Sequence, residues 1–240
     1  VRRYGFHGTS HRFVSRRVCE FLGISPEGKR IIICHLGNGS SLSAVKDGKC
    51  QDTSMGLTPL EGLLMGTRCG SLDPAVVQFI ANNPLKDDGT PLGHPISVDE
   101  VLTLMNKKSG LQGISGKSSD MRDIDDLADH GDADAALARD MLIYGIKKYI
   151  GSYAAAMGGV DIIVFTAGIG ENNGELRQRV MEGMEFLGAK LDPEKNKGRG
   201  EMVISSDDSK VTVCVIPTNE EIMIARDTLD LVTVGKVRDN

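Results

Sequence analysis

Three short runs constrain this chain more than anything else in it: residues 30–36 (RIIICHL), 161–166 (DIIVFT) and 211–216 (VTVCVI) are apolar and rich in β-branched side chains. Runs of four to eight such residues without polar alternation read as strands buried on both faces, and a sheet buried on both faces needs helices over it. The intervening segments supply them. Residues 134–157 form the longest expected helix, with Ala138, Leu142, Ile146, Tyr149 and Tyr153 as its apolar stripe and Arg139, Lys147 and Lys148 toward water. Further helices are expected after Asp73-Pro74, over 98–106, over 175–187 and over 220–232, which makes the fold class α/β.

The strand at 30–36 leads into an alternating strand at 40–46, and Lys46-Asp47-Gly48-Lys49 is a hairpin turn into a third strand near 49–54. Residues 82–97 read as a Pro/Gly/Asn/Asp loop, and the region around 109–119 as polar and glycine-rich. At the start, YGFHGTSH stands before an amphipathic helix carrying Phe13, Val14, Val18, Phe21 and Leu22 and stopped by Gly23, so Thr9 or Ser10 is the expected N-cap. His7 then sits just outside a helix N-terminus, where free N–H groups and the helix dipole favour anions. His7-x-x-x-His11 also has the spacing of two zinc ligands, but no glutamate lies between them and Gly8 is expected to break the turn.

Four loops carry candidate chemistry. HLGNGSS (35–41) places Gly37, Asn38 and Gly39 at a strand turn, an arrangement that suits either an anion-binding nest or a plain β-turn. In MGTRCGSLDP, Arg68 lies among glycines that permit close approach, and a guanidinium clamps carboxylate or phosphoryl oxygens bidentately. GKSSDMRDI (116–124) reads as a loop entering a short helix. FTAGIGENN (165–173) runs from a strand into Gly168-Ile169-Gly170 and a helix, a phosphate-cradle geometry; its G-x-G-x-x-x-G spacing is not the dinucleotide fingerprint.

The formal net charge of −5 argues against a general nucleic-acid or membrane-binding surface and toward a small ligand. The five cysteines are scattered without a C-x-x-C pair, so neither a disulfide framework nor a zinc ribbon is expected, and a reducing cytoplasm fits.

In order along nearly the whole chain, YGFHGTSH, HLGNGSS, MGTRCGSLDP, SSDMRDI, FTAGIGEN and PTNEE resemble the acetate kinase family of the acetate and sugar kinase, heat-shock chaperone and actin superfamily. The resemblance implies an actin-like, ribonuclease H-like ATPase lobe with a mixed sheet flanked by helices. The implied reaction is reversible transfer of the ATP γ-phosphoryl group to acetate, giving acetyl phosphate and ADP; propionate and butyrate kinases share the pattern. It further implies ATP or ADP as substrate, Mg2+ or Mn2+, a cytoplasmic enzyme and a homodimer.

By the same resemblance, His7 and Arg68 act on the transferring phosphoryl group. His35, Leu36, Gly37, Asn38 and Gly39 touch the phosphates. Asp120, Met121 and Arg122, with Gly168, Ile169, Gly170, Glu171 and Asn172, hold the adenosine end. Glu220 belongs to the metal site, with Glu221 the other candidate. Family members begin with a further lobe that does not precede Val1 here. Residues 1–220 are therefore expected to form the C-terminal nucleotide-binding lobe, and 221–240 a terminal helix that packs on the absent one, leaving Ile222, Ala225, Leu229 and Val232 without a partner and the isolated chain inactive. Self-association is expected through Tyr144, Tyr149, Tyr153 and Met157 of the long helix.

Overall fold

The computed structural model describes residues 1–237, so the last three positions of the expected terminal segment 221–240 lie outside the described residues. The elements run α1 (Gly8–Leu22), β1 (Arg30–Leu36), β2 (Ser40–Lys46), β3 (Lys49–Thr53), α2 (Ala75–Asn82), α3 (Val98–Lys107), α4 (Gly110–Ser115), α5 (Met121–Asp129) and α6 (Ala133–Met157). They continue with β4 (Ile162–Thr166), α7 (Ala167–Asn172), α8 (Gly174–Met181), β5 (Met202–Val203), β6 (Thr212–Val215) and α9 (Glu220–Val234). The chain divides into two compact units. One comprises Val1–Arg3, Asn38–Ser40 and Met55–Gly145; the other comprises Tyr4–Gly37, Ser41–Ser54 and the chain from Ile146 on. The lobe expected over 1–220 spans both.

The second unit carries a six-stranded sheet in the order β3-β2-β1-β4-β6-β5. β1 is parallel to β4 and β4 to β6, while β2–β3 and β5–β6 are antiparallel, which is the mixed sheet of the α/β expectation. Ile31, Ile33, Ile162, Val164 and Cys214 pack with Val14, Val18 and Cys19 of α1 on one face. Ile32, Cys34, Ile163, Phe165, Val213 and Val215, on the other face by the two-residue period of a strand, are equally buried. The β2–β3 turn has Asp47 at φ 53° and Gly48 at φ 72°, the two positive values of a type I′ hairpin whose twist matches its strands. All five cysteines are free.

Several expectations are corrected. The N-cap of α1 is His7, at φ 56°, rather than Thr9 or Ser10; the helix begins at Gly8, which does not break it. The Ser10 hydroxyl that would cap is occupied by His35 and Thr218 instead. Gly168-Ile169-Gly170 is not a loop but the body of α7. The helix expected over 175–187 ends at Met181, because Glu182 is extended and Gly183 takes φ 79°. Helix α4 and the two-residue strand β5 were not anticipated. Arg139 does not face water: its side chain is 13% exposed, between Asp125 at 3.6 Å and Asp129 at 2.7 Å, one turn apart on α5. Tyr153 and Met157 are core residues rather than surface ones, whereas Tyr144 is exposed, as are Met141 and Leu137 one and two turns before it.

In the first unit, α3 begins with a full capping box. Ser97 Oγ accepts from Glu100 N at 3.2 Å, and the Glu100 carboxylate accepts from Ser97 N at 2.9 Å. Ser97→Ala is expected to destabilise this unit by about 1 kcal/mol, read as a lower urea midpoint with an unchanged slope.

Candidate functional site

The carboxyl ends of β1, β4 and β6 lie together, since His35 is in register with Thr166 and Phe165 with Val215. In open α/β sheets this is the edge from which ligand-binding loops arise. HLGNGSS (35–41), TAGIGENN (166–173) and PTNEE (217–221) all leave the sheet here, although they are far apart in sequence.

At this edge three histidines form one cluster. His7 and His35 stack with ring centroids 4.0 Å apart and planes 17° from parallel, and His11 lies 5.9 Å from His35. Ser41 Oγ is 2.8 Å from both His7 Nδ1 and His11 Nε2, Ser43 Oγ is 2.8 Å from His11 Nδ1, and Ser10 Oγ is 2.8 Å from His35 Nδ1. The local sequence makes this possible: His7 and His11 are four residues apart at a helix start, and Ser41 and Ser43 share one face of β2.

Burial, reinforced by the neighbouring imidazoles His35 and then His7, lowers the His11 pKa to about 3; burial and then His7 lower that of His35 to about 3. Both rings are neutral at pH 7. Because the unfolded chain titrates them near 6.5, the native state binds fewer protons, so their contribution is complete above about pH 6.5 and is lost as pH falls toward 3. Carboxylates titrate mostly near pH 4, so the upper part of that window isolates the histidines. The urea midpoint is expected to fall steadily from pH 6.5 to 5, with proton uptake on unfolding approaching ~2 and roughly halved in His11→Gln. A flat midpoint over that range would contradict the assignment.

Beside the cluster, Ala167 adopts φ 64° at the end of β4, and Glu171 Oε1 accepts from Ala167 N at 2.8 Å and from Thr218 N at 3.2 Å. One carboxylate thus ties α7 to the PTNEE loop. Asn172 Nδ2 donates to Gly168 O within the same helix. Arg177, 1% exposed, holds α7 from behind by donating to Gly170 O, Glu171 O, Asn196 O and Asn196 Oδ1 at 2.8–2.9 Å. Burial pulls its pKa down to about 10, which leaves it charged at neutral pH. Glu220 is exposed in the first turn of α9, after Asn219, whose side chain caps the helix.

The remaining candidates belong to the first unit. Arg68 is partly buried, donates to Pro59 O at 3.2 Å, and has no carboxylate partner among the described residues, so it is not a surface ion pair. Its segment is braced by α4: Ser109 N, Leu111 N and Gln112 N donate to Thr67 O, Met65 O and Gly66 O at 2.8–3.0 Å. Gly110, at φ 66°, is required there, because a Cβ would lie 2.2 Å from Met65 O. Asp120 caps α5 through Arg122 N, and the Arg122 guanidinium folds back onto it, holding the Asp120 pKa down to about 2. The Met121 and Leu36 side chains are core, so at those positions only backbone could meet a ligand.

Thus His7, His35, Leu36, Gly37, Gly168 to Asn172 and Glu220 lie in the sheet-bearing unit, and Asn38, Gly39, Arg68 and Asp120 to Arg122 in the other. The sequence reading marks Ser10 only as a candidate helix cap, and does not single out Ser41, Ser43, Arg177 or Thr218. The HGTSH and SSLS spacings were the available signal for three of these, and nothing local marks Arg177. Among the described residues no group of three or more His, Cys, Asp or Glu side chains could hold a metal, and no helix is long and apolar enough to cross a membrane. An exposed carboxylate such as Glu220, with Glu221 beside it, suits magnesium that is bound mainly through substrate phosphates and water.

The model of the acetokinase family matches residues 1–226. Acetate kinase of Phocaeicola vulgatus is 61% identical over 230 residues, covering 95% of this chain and 55% of that protein. The crystal structure of Porphyromonas gingivalis acetate kinase matches with a TM-score of 0.88 at 51% identity, over 97% of this chain and 56% of that one. A propionate kinase from Francisella tularensis matches with a TM-score of 0.83 at 43% identity, over 93% and 54%. The chain therefore spans little more than half the length of these relatives.

Proposed function

The chain belongs to the acetokinase family, and on that premise we propose that it is the C-terminal, nucleotide-binding lobe of an enzyme moving the ATP γ-phosphoryl group reversibly to acetate. The observation that carries this reading is the convergence of HLGNGSS, TAGIGENN and PTNEE at the carboxyl edge of β1, β4 and β6. In this reading the strand end and turn at 35–39, the capped start of α5 at 120–122 and helix α7 at 168–172 receive the nucleotide, and Glu220 belongs to the site of a magnesium ion. That ion, when bound, would neutralise phosphate charge. His7 and Arg68 attend the transferring group.

A carboxylate, with a pKa of about 4 to 5, is already ionised at neutral pH, so no base has to create the nucleophile. One acetate oxygen bonds to the γ-phosphorus as the bond to the bridging β,γ-oxygen breaks, and ADP leaves with that electron pair. What the step needs from the protein is donors placed where charge spreads over the phosphoryl oxygens. A partly buried guanidinium with no carboxylate partner among the described residues, on a segment braced by α4, meets that requirement.

Helix α9 from Glu221 to Val234 is read as completing its packing against sequence outside this chain: Met223 is buried, while Leu229, Leu231 and Val232 are more than half exposed. A homodimer in the cytoplasm is part of the same reading, with the exposed Leu137, Met141 and Tyr144 of α6 as its candidate contact. The test is calorimetric titration of ADP into the 240-residue chain, with acetate-dependent ADP release from ATP assayed on the same preparation. Weak saturable ADP binding with negligible turnover is expected, because half of the relatives' length is absent and closure is what aligns reactants and excludes water. No binding at millimolar ADP would remove the nucleotide assignment; robust turnover would show that this chain suffices alone.

A further inference from the structure

We propose that His7 and His35 are held as neutral imidazoles with the proton on Nε2, each by a hydroxyl relay ending on Nδ1, and that His11, Ser41 and Ser43 are positioning residues that set the tautomer of His7. The inference deepens the proposed function and rests on it for its catalytic meaning, but the relay itself follows from hydrogen-bond accounting alone.

Ser43 is fully buried, and His11 Nδ1 is the only partner of its hydroxyl among the described residues. If His11 donated to Ser43 Oγ, the Ser43 proton would be stranded in the core, which costs more than leaving a hydroxyl lone pair unused. Ser43 therefore donates to Nδ1. A neutral His11 must then carry its proton on Nε2, and burial beside two other imidazoles keeps it neutral. His11 Nε2–H donates to Ser41 Oγ, which is itself fully buried. Ser41 has one proton to give, and its other partner is His7 Nδ1 at 2.8 Å. The direction Ser43 to His11 to Ser41 to His7 is thus fixed at its buried end, and His7 is left with its proton on Nε2. Placing a proton on His7 Nδ1 would reverse every bond and strand the Ser43 hydroxyl.

The second relay runs alongside. Thr218 Oγ1 donates to Ser10 Oγ at 2.7 Å, so Ser10 donates to His35 Nδ1 at 2.8 Å, and His35 carries its proton on Nε2 as well. Thr218 belongs to the PTNEE segment, which links that motif to the HLGNGSS histidine. The two stacked rings accept on Nδ1 and each carry the proton on Nε2. In the proposed reaction these are two N–H donors for phosphoryl oxygens, supplied without adding a formal charge to the cluster.

The test is the ¹⁵N spectrum of the ring nitrogens in histidine-labelled protein near pH 7.5, with its five histidines assigned by single His→Gln variants. For His7 and His35 the expected pattern is a protonated-type Nε2 and a bare, imine-type Nδ1. Ser43→Ala is expected to shift both His7 nitrogens toward averaged values, because water in the vacated space can donate or accept and removes the bias, while His35 stays unchanged. Ser41→Ala, which deletes the donor to His7 directly, should do the same and serves if Ser43→Ala does not fold. A His7 proton on Nδ1 in the unsubstituted protein, or a His7 spectrum indifferent to both substitutions, would overturn the proposal. Since the spectrum is read without substrate, locked tautomers in a protein lacking phosphotransferase activity would uphold the relay and remove only the functional reading.

Discussion

Replacing Arg68 by alanine is expected to lower kcat for acetate phosphorylation by at least ~100-fold in a catalytically competent preparation, with a smaller loss for His7→Ala. Arg68 lacks any carboxylate partner among the described residues, and its own backbone is fixed by bonds from Ser109, Leu111 and Gln112, so its positive charge is preorganised rather than spent on an ion pair. A donor held in this way stabilises charge that develops only in the transition state, so the loss should fall on kcat more than on the KM for ATP. Arg68→Lys should recover little, because a single ammonium cannot clamp two oxygens as a planar guanidinium does. Near-native kcat in Arg68→Ala would require the transition-state role to be withdrawn.

Arg177→Met is expected to cost about 3 kcal/mol, since it strands buried carbonyl oxygens that the guanidinium satisfies. Gly170 O, Glu171 O, Asn196 O and the Asn196 side chain all depend on it. In a chain of this length the lost stability corresponds to a Tm lower by roughly 6–12 °C, and differential scanning calorimetry would read it. Arg177→Lys should behave nearly as badly, because three rotating donors on a point charge cannot reach acceptors spread across α7 and the 195–197 turn. Because two of those acceptors are carbonyls of α7, nucleotide affinity should fall together with stability. A variant that kept its Tm would show that water replaces the guanidinium.

The parts of the fold that could be read from sequence are those written in local chemistry. Strands 30–36 and 40–46 and the Asp47-Gly48 turn were legible because apolar runs and a positive-φ pair leave few alternatives. Helix α4 was not, because a six-residue segment with two glycines has low intrinsic helicity; its amides are satisfied by Met65 and Gly66, far away in sequence. The α1 cap failed for the same reason, since the Ser10 hydroxyl serves a strand end rather than its own helix. His7, His35 and Arg68 were visible as residue types beside glycines, whereas the serines that orient the histidines are ordinary strand residues until β2 is laid against α1. Arg177 had no signal, because an arginine on a short polar helix reads as a surface residue.

Nucleotide contacts are proposed on three separate stretches, and backbone hydrogen exchange of the 240-residue chain with and without saturating ADP tests that proposal directly. Slowed exchange is predicted at 35–39, 120–122 and 168–172, with the distant β2–β3 turn at 46–49 unaffected. Protection confined to other segments, or none at any of the three under conditions where ADP is shown to bind, would contradict it.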